Sequence, residues 1–376
     1  MVLMPLDFLL RWLTGLLAIA LLGGGIYILH EWYEGNLLDR AWLIAGWAMV
    51  IWSCVGFLPL NLLRRWGQDE PKMQRSQETQ RIARPDGSEI QVEFYGSPDA
   101  PPLILTHGWG PNSTVWYYAK KQLANHFRVV VWDLPGLGKS TKPQNQDYSI
   151  EKYARDLEAV LSLVDNQPAI LLGHSMGAMI LLTFCRLFPE ALGDRVTGMV
   201  LVGATYTNPL KTAILGKLLT LLQKPLIEPL LYATIALSPL LWLISGLSYL
   251  NGSMYVTAEL SGFTGRETRG QLDFTTRLGL LGSPGVLARG VFAMLRFDEM
   301  QTLPTIPIPV QIIVGQFDIA TRPWAHHRLH RAIPNSDIAV LHPAGHMGLM
   351  ERHAQFAEVV RSFGISLPHS RSSSSF

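Results

Sequence analysis

Three residues far apart in the chain have the types and settings that nucleophilic chemistry on a carbonyl requires. Gly173-His174-Ser175-Met176-Gly177 stands between a short apolar run, AILL at 169–172, and a helix-like stretch, MILLTFCRLF at 179–188. At a strand-to-helix turn the flanking glycines remove side chains that would collide, and the serine hydroxyl is left exposed. A serine is a weak nucleophile until a base takes its proton, and the base must be held in one tautomer by an acid. Asp318 follows the apolar run PVQIIVG at 309–315, and His346 closes the segment His342-Pro343-Ala344-Gly345-His346. The reading is Ser175 as nucleophile, His346 as base and Asp318 as the orienting acid. All three follow strand-like runs, and ligands in parallel-sheet proteins bind beyond the carboxyl ends of the strands.

An attacked carbonyl also needs donors for its developing negative charge, and losing one typically costs on the order of 3 kcal/mol of barrier. The backbone N–H of Met176, opening the helix after the nucleophile, is one expected donor. The other is the backbone N–H of Trp109, in His107-Gly108-Trp109-Gly110 after the run PLILT. The His107 side chain is read as shaping that loop. The run His326-His327-Arg328-Leu329-His330-Arg331 invites a metal reading, but adjacent histidines on a helix diverge and carboxylates are scarce nearby. A solvated helix face is expected there. Gly136-Leu137-Gly138-Lys139-Ser140 lacks the spacer of a phosphate loop. No cofactor or metal is implied.

Taken together, HGWG, DLPGLGKS, GHSMG, GQFD and HPAGH resemble the α/β-hydrolase superfamily over about residues 81 to 365, nearest to its monoacylglycerol-lipase-like esterase members. The resemblance implies an α/β fold, a mostly parallel eight-stranded sheet flanked by helices, with an inserted helical cap. It gives Ser175, Asp318 and His346 the triad roles and Trp109 and Met176 the oxyanion roles, and it makes Asp133 a structural turn residue. The HGWGP segment is also similar to epoxide hydrolases and haloalkane dehalogenases, which carry an aspartate nucleophile where Ser175 stands. The implied activity is cleavage of carboxylic esters of apolar or lipid-like substrates through an acyl-enzyme. Acyl transfer, C–C bond hydrolysis and perhydrolysis use the same triad and stay open, since a fold does not fix a reaction. The rival from another class is a catalytically silent membrane scaffold.

The elements that must position these residues can be read from periodicity. Apolar runs at 102–106, 128–132, 169–172, 198–202 and 309–314, with a weaker one at 337–341, alternate with helix-like stretches after an opening hairpin at 81–95. Strands apolar on both faces and separated by helices indicate a buried parallel sheet. The core is expected at 81–204 and 291–365, with a cap at 205–290, because so long an interval between strands exceeds one crossover helix. Within it, 230–250 carries no charge, yet a single crossing there would separate Ser175 from Asp318 and His346, and Pro239 interrupts it. The cap either packs on the core or dips into one leaflet, and Lys211, Lys217 and Lys224 fit either solvated cap lysines, the commoner case, or contacts with lipid headgroups.

Charged residues make up only 16% of the 376 residues, low against roughly 25% for soluble proteins. Two uncharged runs, 12–29 and 41–63, each approach the roughly 20 residues needed to cross a bilayer, with Trp12, Tyr27, Trp32, Tyr33 and Trp42 near their ends. Residues 1–66 are thus expected to be an anchor of two transmembrane helices. Arg64, Arg65, Lys72 and Arg75 after the second run favour both ends, and the catalytic domain, on the cytoplasmic side. Residues 67–80 read as a polar linker and 366–376 as a disordered serine-rich tail. A formal net charge of +2 gives no field for nucleic acid. The expected partners are a small apolar ester and membrane lipid, and Cys54 and Cys185 are not expected to form a disulfide.

Overall fold

A computed structural model describes residues 4–164 and 167–367. Most of the serine-rich tail, 368–376, lies outside the described residues, and Ser366 ends the last helix. The strands are β1 (Thr79–Ala83), β2 (Glu89–Tyr95), β3 (Pro102–Thr106), β4 (Arg128–Trp132), β5 (Ala169–His174), β6 (Val196–Val202), β7 (Val310–Gly315) and β8 (Ser336–Leu341). They form one sheet in the order β1-β2-β4-β3-β5-β6-β7-β8. β2 runs antiparallel to both its neighbours, and every later pairing is parallel. The expected strands all form, for a visible reason: alternate residues of one strand feed two separate cores. Ile104 and Val130 join one apolar cluster, while Leu103, Leu105, Val129 and Val131 join the other on the opposite face.

The helices are α1 (Met4–Tyr33), α2 (Arg40–Val55), α3 (Phe57–Leu62), α4 (Tyr117–Leu123), α5 (Ile150–Leu161), α6 (Met176–Leu187), α7 (Pro209–Thr212), α8 (Gly216–Leu222), α9 (Glu228–Ala236), α10 (Ser238–Leu250), α11 (Ser253–Gly262), α12 (Arg269–Leu281), α13 (Pro284–Leu295), α14 (Pro323–Ala332), α15 (Gly348–Glu351) and α16 (His353–Ser366). α5, α6 and α14 pack on one face of the sheet and α4 and α16 on the other. Between β6 and β7 the chain builds a helical cap, α7 to α13. Its uncharged stretch 230–250 does not run straight: the helical segments Gly216–Ala236 and Ser238–Leu250 meet at 99°. The corner precedes Pro239, which has no N–H to continue the helix across it.

The N-terminal segment departs from expectation. α1 is apolar and long enough to cross a membrane over Trp12–Tyr33, 22 residues. The second run is not. It breaks into α2, 16 residues, and α3, six residues, and α2 spans only about 24 Å against a hydrocarbon layer of about 30 Å. Pro59, four residues past Val55, has no N–H for the Val55 carbonyl, and at Gly56 the chain meets the cap: a Cβ there would lie 2.6 Å from the Asn251 carbonyl. Among the described residues one helix, not two, qualifies as a straight span, so the second of the two crossings behind the same-side placement of both chain ends has no straight helix to make it. α2 instead packs along α1. Small residues let the backbones approach, since a Cβ on Gly25 would sit 2.8 Å from the Gly46 carbonyl, and the Ser53 hydroxyl donates to Ala18 O at 3.1 Å.

This hairpin is joined to the cap. Gly15 faces α10, where a Cβ would come within 2.7 Å of the Ile244 carbonyl. Thr14 and Ser248 hydroxyls are 3.1 Å apart, and Asn251 donates to Thr14 O at 2.9 Å. The following segment, read as a linker, is polar as expected but held down. Just before it, Arg64 pairs with Glu259 of α11 and with buried Glu267 at 2.8 Å; within it, Asp69 accepts from Lys121 at 2.8 Å and Glu70 from the Thr268 hydroxyl at 2.6 Å. Farther along, Arg75 is bound by Glu93 at 2.6 Å and by Asp133 at 2.8 Å.

Candidate active site

The site begins at the turn between β5 and α6. Ser175 has φ 58° and ψ −117°, a left-handed conformation that costs a non-glycine residue about 1–3 kcal/mol and is kept only where its surroundings fix it. Those surroundings are close. A Cβ on Gly173 would lie 2.5 Å from the Gly177 carbonyl, and one on Gly177 would collide with the Thr106 carbonyl of β3. The Ser175 N–H donates to Val202 O at 2.8 Å, tying the turn to β6. The strand and helix thus meet with no room for side chains, and Ser175 is left at the rim of the sheet, lining a cavity.

Asp318, after β7, is wholly enclosed. Its Oδ1 accepts the N–H groups of Ala320 (2.7 Å) and Thr321 (2.9 Å), and its Oδ2 accepts the Thr321 hydroxyl at 2.9 Å. His346 Nδ1 completes the set, 2.8 Å from Oδ2. Burial alone would push this carboxyl up, but the charge and hydrogen bond of His346 and the other donors outweigh it and hold Asp318 below its ordinary range. With Nδ1 committed to the carboxylate, the other ring nitrogen of His346, Nε2, is buried and has no partner among the described residues. His346 and Ser175 line the same cavity, about 140 Å³ in volume. The structure therefore brings together the three residues that the sequence separates by 143 and 28 positions.

The loop after β3 closes over the serine: a Cβ on Gly108 would sit 3.0 Å from Ser175 Cβ and 3.1 Å from the His174 carbonyl, so any side chain here would crowd the nucleophile turn. The next residue, Trp109, anchors the loop to the cap through its indole N–H, 2.7 Å from the Leu287 carbonyl. Met176 is the first residue of α6, where backbone N–H groups lack intrahelical acceptors. Of the two residues expected to donate to an oxyanion, Trp109 lines the cavity with Ser175 and Met176 follows the serine in the chain. His107 has the loop-shaping role expected of it. Its Nδ1 donates to Gly108 O at 2.8 Å and its Nε2 accepts the Leu134 N–H at 3.0 Å. Burial pushes its pKa down, which keeps the ring neutral as those two bonds require. Asp133 is likewise architectural, accepting the N–H groups of Ser113 (2.7 Å) and Lys139 (2.8 Å).

Two histidines carry more than the sequence reading gave them. His326 is not on a solvated face as expected: it is wholly buried, its Nε2 accepts the Ala204 N–H at 2.8 Å, and burial pushes its pKa down to about 4. The signal was present, since Ala325, Leu329 and Ala332 mark an apolar stripe on α14 beside it. His174, quoted in the motif but given no role, donates from Nε2 to the His346 carbonyl at 3.1 Å. Its ring centroid is 4.9 Å from that of His346. Burial first, and the neighbouring His346 second, push its pKa down to about 3, so it supports the base without adding charge beside it. Among the described residues no cluster of three or more metal-binding side chains occurs.

The cap supplies the roof. Met254, Thr257 and Ser261 of α11 and Thr276 and Leu278 of α12 face the serine across the cavity, whose surface is mainly apolar. Such a site suits a substrate with one reactive polar bond and an apolar remainder.

Comparisons with known proteins agree with this architecture. A family model described as alpha/beta hydrolase fold matches residues 101–224. An uncharacterised protein of Mycobacterium tuberculosis is 29% identical over 274 residues, 70% of this chain and 75% of its own length. A pimeloyl-acyl carrier protein methyl ester esterase of Neisseria meningitidis is 26% identical over 282 residues, 73% of this chain and 80% of its own. Among solved structures, an esterase from Exiguobacterium antarcticum superimposes with a TM-score of 0.61 at 22% identity, covering 78% of this chain and 100% of the other.

Proposed function

On the α/β-hydrolase fold that this chain has, we propose a membrane-attached serine hydrolase that cleaves carboxylic esters of apolar, lipid-like substrates through an acyl-enzyme. The observation that carries the reading is the setting of His346: Asp318 binds Nδ1 at 2.8 Å, and Nε2 has no partner among the described residues in a ring that lines one cavity with Ser175. That nitrogen takes the Ser175 proton as Oγ bonds to the ester carbonyl carbon. The carbonyl π electrons move to oxygen, where the N–H groups of Met176 and Trp109 stabilise the charge. Collapse breaks the bond to the alcohol oxygen, which leaves with the proton from His346. Water then repeats the sequence, giving its proton to His346, and the acid departs as Ser175 is reprotonated. Asp318 stays ionised throughout, which its lowered pKa supports.

The ester is supported by the mainly apolar cavity and by the methyl ester esterase among the relatives. Membrane attachment is supported by α1, 22 residues of which are apolar enough to cross a bilayer. Fluorophosphonate labelling of the full chain in detergent tests the nucleophile, with Ser175→Ala as control. The wild type should label and turn over p-nitrophenyl esters, preferring longer acyl chains, and Ser175→Ala should do neither. Labelling that survives the substitution would reject Ser175, and a preference for acetate over longer acyl chains would reject the lipid-like substrate.

A further inference from the structure

The cavity over Ser175 has a neighbour. A second cavity, about 10 Å³, lies where α1 meets α10 and the turn from α12 to α13, and it shares two wall residues, Gly279 and Leu287, with the catalytic one. Its outer walls are Trp12 of α1 and Leu241, Trp242 and Ser245 of α10. A volume of that order holds about one water, so the passage is a constriction in this conformation. The partition is nonetheless thin, one glycine and one aliphatic side chain. Trp242 stands at the outside, 52% exposed, its indole N–H reaching the Leu280 carbonyl at 3.0 Å and so bridging α10 to α12.

What surrounds this mouth is apolar. Leu13 and Leu16 of α1, Leu240 and Leu243 of α10 and Leu281 of α12 are all about half exposed or more. An apolar surface of this kind on one molecule needs a partner. Continuity names it: α1, the helix apolar and long enough to cross a bilayer, carries part of this surface and is joined to the cap that carries the rest by the contacts of Gly15 and Thr14 with α10. Hydrocarbon covering α1 would cover the mouth as well.

We propose that the substrate reaches Ser175 sideways out of the bilayer, through a portal between α1 and the cap, with Trp12 and Trp242 as its posts and Leu287 as the inner gate. The proposal rests on the serine-hydrolase reading and narrows its substrate to an ester that resides in a membrane by an alkyl chain. The chain stays among lipid tails beside α1 while the ester carbonyl passes Gly279 to the serine. Small esters dissolved in water have no need of this route.

The test plugs the portal from its outer half. Ser245 lines the second cavity and not the first, so Ser245→Phe fills the passage without touching the catalytic cavity. The full chain is reconstituted in phosphatidylcholine vesicles and assayed with monooleoylglycerol in the bilayer and p-nitrophenyl butyrate in water. The variant should lose about tenfold or more in turnover of the bilayer ester relative to wild type, with fluorophosphonate labelling and butyrate turnover kept. A reversible plug separates blockage from misfolding. In a Cys54→Ser background, Ser245→Cys treated with an apolar benzyl thiosulfonate should lose bilayer turnover and regain it with dithiothreitol. Equal loss on both esters, no loss on either, or a cysteine that the apolar reagent does not reach would overturn the portal. A wild type that neither labels nor turns over either ester would instead overturn the hydrolase reading beneath it.

Discussion

The turn that carries Ser175 and the hairpin of α1 and α2 are both built on glycines in close contact, yet the two regions are held by different forces. Around Ser175, glycines allow backbone to touch backbone inside a network of directed bonds: Asp318 accepts from four donors, His107 uses both ring nitrogens, and the serine N–H is tied to β6. In the hairpin, Gly25 and Gly46 bring helices together whose outer faces, Leu17, Ile19, Trp47 and Ile51 among them, are about half exposed. The catalytic edge derives its geometry from inside the protein. The hairpin depends on what lies outside it, and the cap, bonded to both, belongs to each regime on one of its faces.

The sharpest way to break this contrast is at the carboxylate. Asp318→Asn keeps the shape but takes the charge and fixed tautomer from His346, and kcat should fall roughly 10⁴-fold with KM little changed; a loss under tenfold would mean that the directed network is not what activates the serine. Next comes Gly177→Ala, whose Cβ collides with the Thr106 carbonyl. It should cost about 2–4 kcal/mol, read as a lowered Tm in detergent, because backbone cannot yield there as a side chain would.

A pH titration gives an intermediate effect. His174 and His326 are buried with pKa values of about 3 and about 4, and His107 is also lowered, all below the roughly 6.5 of an unfolded chain. Between pH 6.5 and about 4 the unfolded state binds protons that the folded state refuses. Each of these histidines thus gives stability that is complete above pH 6.5 and is lost as the pH falls, by up to roughly 1.4 kcal/mol per unit for His174 and for His326. Differential scanning calorimetry in detergent should show Tm dropping through that window; a Tm flat from pH 7 to pH 4.5 would contradict the burial. The smallest effect is expected at Gly23→Ala in α1, where a Cβ meets nothing within 4 Å. Tm should shift by no more than the equivalent of about 0.5 kcal/mol, and a drop like that of Gly177→Ala would erase the distinction between the regions.

The catalytic edge was legible in the sequence because its constraints are local. A serine between glycines after four apolar residues, and an aspartate and a histidine each just past a strand, declare themselves without knowledge of the packing. What stayed hidden depends on partners far along the chain. Arg75 sits in a stretch without periodicity, and its partners Glu93 and Asp133 lie 18 and 58 residues away. The second apolar run reads as one span by length, and only the proline and the meeting of Gly56 with Asn251 explain why its helix stops. His326 was hidden by its charged neighbours, though the apolar stripe beside it pointed inward.

The contact between Thr14 and Ser248 spans 234 residues and so sets an order of assembly. Chains are made from the amino end, so α1 and α2 leave the ribosome, and can associate through Ser53, long before α10 exists. The cap is then completed against a surface already waiting for it, and the chamber over Ser175 closes late, after most of the sheet has been synthesised. Closing of the chamber over Ser175 thereby waits on the seating of α1 against α10.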